Sequence, residues 1–327
     1  MAIEMTKPGF LFRRGEGEIL TKGLNNLHIK RGTKMEKLQG IYVVMVTPFK
    51  ANGEVDYDGI RKNVSWWISE GVHGLIPLGS TGEFASLDDR QKIKITETVM
   101  DTVQGRIPVI VGATAETTEK AIENARAAEK AGASAVLILP PYYYIPGQEE
   151  IYGHYRKIAE AVDIPIMIYN NPFSSKVDVK AETVARLAKL PNIRYIKEST
   201  GDIKRITEIR LLTDDGITIF CGWEDMAYES FLMGAKGWVC VIGNIAPKIS
   251  VQLFDSIVIR KDYVKGWEIY KRMLPMLRYL EYAGKTQKIL KHALDTMGMC
   301  GGYSSSPKLP LEEEDKVKTE KLLKELR

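Results

Sequence analysis

The chain has 327 residues, of which 44% are hydrophobic and 27% charged, an ordinary globular composition. Its formal net charge of +4 is small for this length and no dense Lys/Arg run is interleaved with aromatics, so no nucleic-acid partner is expected. No apolar run is long enough to span a bilayer, so no membrane partner is expected either.

The three cysteines (Cys221, Cys240, Cys300) are odd in number, far apart and without a Cys-x-x-Cys pair, which points to a reducing, cytoplasmic compartment rather than to disulfides. The four histidines (His28, His73, His154, His292) are scattered and form no His-Glu-x-x-His run, so no metal site is expected.

Residues 1–38 stand apart. They mix Arg13, Arg14, Lys22, Lys30, Arg31 and Lys34 with Glu4, Glu16 and Glu18 and contain no signal-peptide apolar core. The favoured expectation is a dispensable arm, flexible or clasping an oligomer. A translation start at Met35 and a targeting segment are the other readings.

From Gln39 onward the hydrophobic pattern alternates between two periods. Short β-branched runs at 41–46, 73–78, 109–111, 135–139, 166–169, 193–196, 218–220 and 237–241 are almost continuously apolar, as parallel strands buried on both faces require. Helical stretches of mixed polarity lie between them, at 57–70, 88–103, 117–131, 149–161, 179–188, 203–212 and 224–233. Gly71 and Gly132 follow helices as breakers, Pro108 and Pro165 precede strands, and Ser86 lies near the start of the second helix. Eight strands alternating with helices predict an α/β fold, a (β/α)8 TIM barrel over residues 39–260. A doubly wound sheet ranks behind, because Thr47-Pro48-Phe49 after the first strand is not a glycine-rich dinucleotide turn. Helical stretches at 261–280, 285–297 and 312–326 predict a C-terminal helical extension over 261–327, packed on the barrel.

Active sites of such barrels lie at the carboxyl ends of the strands. The second strand runs into Gly79-Ser80-Thr81-Gly82-Glu83, where two glycines frame two hydroxyls and N–H and O–H groups can converge on a carboxylate. The same residues would also serve as a plain tight turn with a helix cap. The fourth strand ends in Tyr142-Tyr143-Tyr144, which cannot all face one way, so some line the mouth or meet another subunit. The fifth ends in Tyr169-Asn170, a tyrosine carried into the mouth or a core tyrosine satisfied at the rim. The sixth ends in Lys197-Glu198 directly after an apolar run. Pointing inward, this lysine is desolvated and its pKa falls from about 10.4 towards ~7–8, which frees the amine as a nucleophile. Pointing outward, it simply reaches solvent.

Taken together, Thr47-Pro48-Phe49, Gly79-Ser80-Thr81-Gly82-Glu83, Tyr142-Tyr143, Tyr169-Asn170 and Ile196-Lys197-Glu198 resemble the dihydrodipicolinate synthase / N-acetylneuraminate lyase family over about residues 39–311. The resemblance implies a class I, Schiff-base-forming lyase acting on a pyruvate-type 2-oxo acid or a related cyclic imino acid. It implies no cofactor beyond the covalent imine on Lys197, and a homotetramer built as a dimer of dimers. It also implies residue roles: Lys197 forms the imine, Tyr169 relays protons, Tyr143 reaches a neighbouring subunit's site, and Ser80 and Thr81 hold the substrate carboxylate. Gly79, Thr47 and Val239 complete the expected substrate-binding set.

One departure bears on the reaction. Dihydrodipicolinate synthases carry an arginine four or five residues after the strand-five tyrosine, for a second substrate's carboxylate. Here Ser174 occupies that place, and the nearby Lys176 is a point charge rather than a bidentate fork. Other stretches, including Tyr169-Asn170-Asn171-Pro172, Ile196-Lys197-Glu198-Ser199, the run at 229–235 and Gly237-Trp238-Val239, resemble 1-pyrroline-4-hydroxy-2-carboxylate deaminases and keto-deoxy-sugar-acid dehydratases. The expectation is therefore a lyase working by aldol cleavage or condensation, or by dehydration or deamination. 4-Hydroxy-tetrahydrodipicolinate synthase is the first alternative, and a non-catalytic barrel that only binds 2-oxo acids is an alternative of another class.

Overall fold

A computed structural model describes residues 37–326, so the arm expected over residues 1–38 falls almost wholly outside the described residues. Eight strands follow in chain order: β1 (Gly40–Val44), β2 (Gly74–Ile76), β3 (Ile110–Gly112), β4 (Ala135–Ile138), β5 (Ile166–Asn170), β6 (Ile193–Glu198), β7 (Thr218–Cys221) and β8 (Gly237–Cys240). They form one parallel sheet in the order β2-β1-β8-β7-β6-β5-β4-β3. The ring closes through a parallel bridge between Leu75 and Val109, where the Leu75 N–H donates to Pro108 O at 3.2 Å and the Gly112 N–H to Pro77 O at 3.0 Å. The chain forms the expected TIM barrel.

Helices α1 (Tyr57–Ser69), α2 (Asp89–Val103), α3 (Thr118–Lys130), α4 (Gln148–Ala161), α5 (Pro172–Ser175), α6 (Ala181–Leu187), α7 (Lys204–Thr213), α8 (Ala227–Leu232) and α9 (Pro247–Phe254) connect or follow the strands. Asp88 caps α2: its carboxylate accepts the Gln91 N–H at 2.7 Å and the Gln91 side chain accepts the Asp88 N–H at 2.9 Å. The helix expected over 224–233 is split into a 3-10 turn at Glu224–Met226 and α8, because Asp225 leaves helical geometry (φ −91°, ψ 30°). Helix α5 is a single turn opened by Pro172, too short to carry a periodic signal. The chain ends in α10 (Tyr263–Tyr282), α11 (Thr286–Thr296) and α12 (Glu313–Leu326). Tyr279 Oη donates to Asp315 Oδ1 at 2.7 Å and Lys285 pairs with Asp315 at 2.6 Å, which ties α12 back to α10.

Because both strand faces are buried, there are two cores. Tyr42, Ile110, Met167, Phe220 and Val239 fill the barrel interior, with Phe220 edge-on to Tyr42 and Tyr195 at centroid distances of 5.4 and 6.1 Å. Val43, Ile196 and Trp238 face outward and pack with helix residues such as Trp67. Burial of each large side chain contributes about 1.5–3 kcal/mol.

The β5–β6 pairing contains an irregularity with consequences for the site. Ile166 pairs with Ile193, but Met167 pairs with Tyr195, so Arg194 is an extra residue on β6. From there Tyr169 pairs with Lys197 and Asn170 with Glu198. Side chains paired across a sheet share a face, so the shift assigns Lys197 to the interior alongside Tyr169 and sends Glu198 outward to Asn170.

Candidate active site

Lys197 is 4% exposed and its Nζ lies 4.0 Å from the centroid of the Tyr169 ring. Tyr169 Oη accepts a hydrogen bond from Asn171 Nδ2 at 2.8 Å, and Lys197 and Ser80 act on the same phenol. Burial raises the phenol pKa, but the Lys197 charge and the bonds from Asn171, Lys197 and Ser80 outweigh it, holding Tyr169 below the ordinary tyrosine value. The space for the lysine depends on Gly222 at the end of β7, where a Cβ would come within 2.7 Å of Lys197 Cγ and closer still to Ser199 Oγ.

The turn after β2 supplies the anion-ready element. Gly82 N–H donates to Gly79 O at 3.0 Å and Glu83 N–H to Ser80 O at 3.1 Å, so the N–H groups of Ser80 and Thr81 have no backbone acceptor among the described residues. Thr47 lies under this turn, buried just after β1. Its Oγ1 donates to Gly82 O at 2.8 Å and so holds the turn. A Cβ on Gly82 would lie 2.9 Å from Met45 O, so the close approach of the turn to β1 needs glycine there.

Two carboxyls, Glu224 and Glu281, lie near enough to feel the charge of Lys197. Glu224, at 2% exposure, accepts the N–H groups of Val241 and Ile242 at 2.7 and 2.8 Å, and burial pushes its pKa up to about 8. Glu281 of α10 accepts the Glu224 N–H at 2.9 Å and is likewise raised by burial. The Lys197 charge acts on both carboxyls against that effect. Glu198 lies on the outer face, accepting Thr200 N–H at 2.8 Å and Asn170 Nδ2 at 3.1 Å.

The structure thus brings Lys197, Tyr169 and Ser80 together, with Thr81 beside Ser80 on the turn. Val239 lies in the interior layer below them, as the partner of Tyr42. Tyr143 is not brought to Lys197: it is 75% exposed on the loop after β4, with its backbone N–H on Glu116 Oε2 at 3.2 Å. Tyr142 turns inward and packs edge-on to Phe84 at 6.1 Å, while Tyr144 stays exposed. Sequence reasoning missed Asn171, Gly222, Glu224 and Glu281. The glycine after a strand was the one available signal; the two carboxyls come near Lys197 only through tertiary packing. Among the described residues, no group of three or more His, Cys, Asp or Glu could hold a metal ion, and no helix is long and apolar enough to cross a membrane.

A 2-oxo acid whose carboxylate sits on the Ser80–Thr81 turn can present its carbonyl carbon to Lys197. Addition of the amine and loss of water give a protonated imine, an electron sink for the adjacent carbon. Tyr169, with its ring 4.0 Å from Lys197 Nζ, can take up and return the protons. Barrel and site together define a lyase of the class I aldolase type. A 4-hydroxy-tetrahydrodipicolinate synthase from Nitrobacter hamburgensis is 40% identical over 276 residues, spanning 84% of this chain and 92% of that one. The synthase of the same name from Methanocaldococcus jannaschii is 36% identical over 290 residues, spanning 88% and 98%. The solved structure of the chloride-inhibited dihydrodipicolinate synthase from Acinetobacter baumannii, complexed with pyruvate, superposes with a TM-score of 0.85 at 33% identity, covering 89% of this chain and 99% of that one. The chain belongs to the dihydrodipicolinate synthetase family, which matches residues 37–326.

Proposed function

We propose that the chain joins a pyruvate-type 2-oxo acid to Lys197 as an imine and that its reaction is the condensation carried out by 4-hydroxy-tetrahydrodipicolinate synthase. The observation that carries the imine is the inward-facing Lys197, with its Nζ 4.0 Å from the centroid of the Tyr169 ring. The choice of condensation rests on the names of the relatives; the motifs left aldol cleavage or condensation and dehydration or deamination side by side, with this synthase as the first alternative. In this scheme Ser80 and Thr81 bind the carboxylate, Tyr169 relays protons, and the imine replaces any organic cofactor. Tyr143, exposed on its own chain, is assigned to a neighbouring subunit's site in a homotetramer. The free cysteines Cys221, Cys240 and Cys300 suit a cytoplasmic setting.

A second reading keeps the imine but ends in loss of a leaving group, as in the deaminase and dehydratase branch. The observation favouring it is Ser174, an exposed serine where a second-substrate arginine is expected. Nearby Arg205 is committed to Val179 O at 2.7 Å. Borohydride reduction in the presence of pyruvate, read by mass, tests the imine; reversible binding without mass gain would leave a 2-oxo acid-binding barrel. Assay of the trapped enzyme's parent with aspartate semialdehyde and with cyclic imino acids then separates the two lyase readings.

A further inference from the structure

The most heavily bonded buried charge outside the catalytic pair is Glu83, the last residue of the Gly79–Glu83 turn. Its side chain is fully buried and bonds Lys291 Nζ at 2.6 Å, Lys308 Nζ at 3.0 Å, Ser305 Oγ at 2.7 Å and the Ser305 N–H at 3.1 Å. Burial alone would raise its pKa, but the Lys291 charge and the bonds from Lys291, Ser305 and Lys308 prevail and hold it below the ordinary glutamate value. Lys291 lies on α11; its Nζ also donates to Tyr303 O at 2.6 Å and stands 4.8 Å from the Phe49 ring centroid.

The backbone at Glu83 is left-handed (φ 59°, ψ 36°), a conformation that a residue with a Cβ adopts rarely and only when its surroundings hold it. Four residues before Lys291, on the same face of α11, Gln287 Nε2 reaches Ser80 O at 3.4 Å. One helix therefore grips the turn on both sides of Thr81, and Thr47 grips it a third time at Gly82 O. A buried ion pair is a poor way to gain stability, because apolar residues of similar volume serve as well or better. It is a good way to impose one geometry.

We propose that Glu83, clamped by Lys291, Lys308 and Ser305, is a positioning residue that sets the Ser80–Thr81 turn for the carboxylate of the 2-oxo acid. The C-terminal helices are then part of the substrate site. The inference rests on the imine-forming reading above. It gives α11 and the 303–308 segment a role in substrate affinity.

The test is borohydride trapping on the full chain, comparing half-saturating concentrations of pyruvate and of pyruvamide, a neutral ketone of similar size. Glu83→Gln keeps the shape and removes the charge. It should raise the half-saturating pyruvate concentration about tenfold, the factor expected for one misaligned charge-assisted bond, and leave pyruvamide and the rate at saturation within about threefold. A purely structural role would lower the melting temperature and leave the pyruvate-to-pyruvamide ratio unchanged, and that result overturns the proposal. Glu83→Gln also strands a buried lysine, so Ser305→Ala and Lys308→Ala are run beside it as milder variants that keep the Lys291 pair. Each should shift the ratio in the same direction by about threefold, and no shift in either counts against the proposal even if Glu83→Gln does not fold. A parent chain that gains no mass with pyruvate removes the underlying reading, and this inference with it. A parent that is trapped, with variants of unchanged ratio, removes this inference alone.

Discussion

Lys197 and Tyr169 are register partners on adjacent strands, with the lysine Nζ 4.0 Å from the centre of the tyrosine ring. Neither residue alone makes a site. A buried amine without a proton donor beside it adds to a carbonyl but is slow to expel the hydroxyl as water, and a buried phenol without a neighbouring cation is held above its ordinary pKa by desolvation. Tyr155 of this chain shows the contrast: it is fully buried and donates to Ile138 O at 2.6 Å, and burial raises its phenol. Tyr169, equally buried but facing Lys197, is lowered.

The nucleophile is tested by Lys197→Ala. Trapping with pyruvate should disappear while the cooperative unfolding transition remains, because the side chain contributes little apolar core at the barrel mouth. Mass gain equal to that of the parent would assign the imine to another lysine.

Tyr169→Phe keeps the ring and removes the hydroxyl. Stability should change by about 0.5–1.5 kcal/mol, the contribution of one hydrogen bond. Turnover should fall about 10²–10⁴-fold, the range for a lost general acid–base group. Slow trapping in this variant is compatible with the relay, since Lys197 is still present. Turnover within a few-fold of the parent would reduce Tyr169 to a pocket wall.

Ser174 bears on the second substrate. Condensation with aspartate semialdehyde is expected with a high KM for the semialdehyde, because no guanidinium stands at residue 174. Ser174→Arg should lower that KM about tenfold or more, as one charge-assisted bond contributes roughly 1.5–3 kcal/mol. If neither parent nor variant consumes the semialdehyde while a cyclic imino acid is consumed, the deaminase reading replaces the synthase reading.

His154 predicts a pH dependence of stability. Burial pushes its imidazole down to about 4, and its Nδ1 meets Thr118 Oγ1 at 3.0 Å while Nε2 has no partner among the described residues. An unfolded histidine titrates near 6.5. Between those values the unfolded chain binds more protons than the folded one, so stability is full above about 6.5, falls as pH drops towards 4, and levels off below. The loss is on the order of 3 kcal/mol at most, from about 1.4 kcal/mol per pKa unit. Urea unfolding of the parent and of His154→Asn should show this slope in their difference. Parallel curves across that window would rule out His154 as its source.

The sequence by itself determined the architecture. Continuous β-branched runs alternating with amphipathic stretches leave few arrangements other than a barrel of parallel strands, because each strand must be covered on both faces. It also placed Lys197, Tyr169, Ser80 and Thr81 at strand ends, where such barrels carry their chemistry. It could not say which way the lysine points. That follows from the extra residue Arg194 in the β5–β6 pairing, and a one-residue shift moves every later side chain to the opposite face. Nor could it show that Thr47 supports the turn through Gly82 O, or that Tyr143 is exposed on its own chain. The contacts of Glu83 with Lys291 and Lys308, and of Glu224 with Glu281, join residues as many as 225 positions apart. Such pairings leave no periodic trace in the sequence. Only closure of the barrel and packing of the last helices against its mouth bring them within bonding distance.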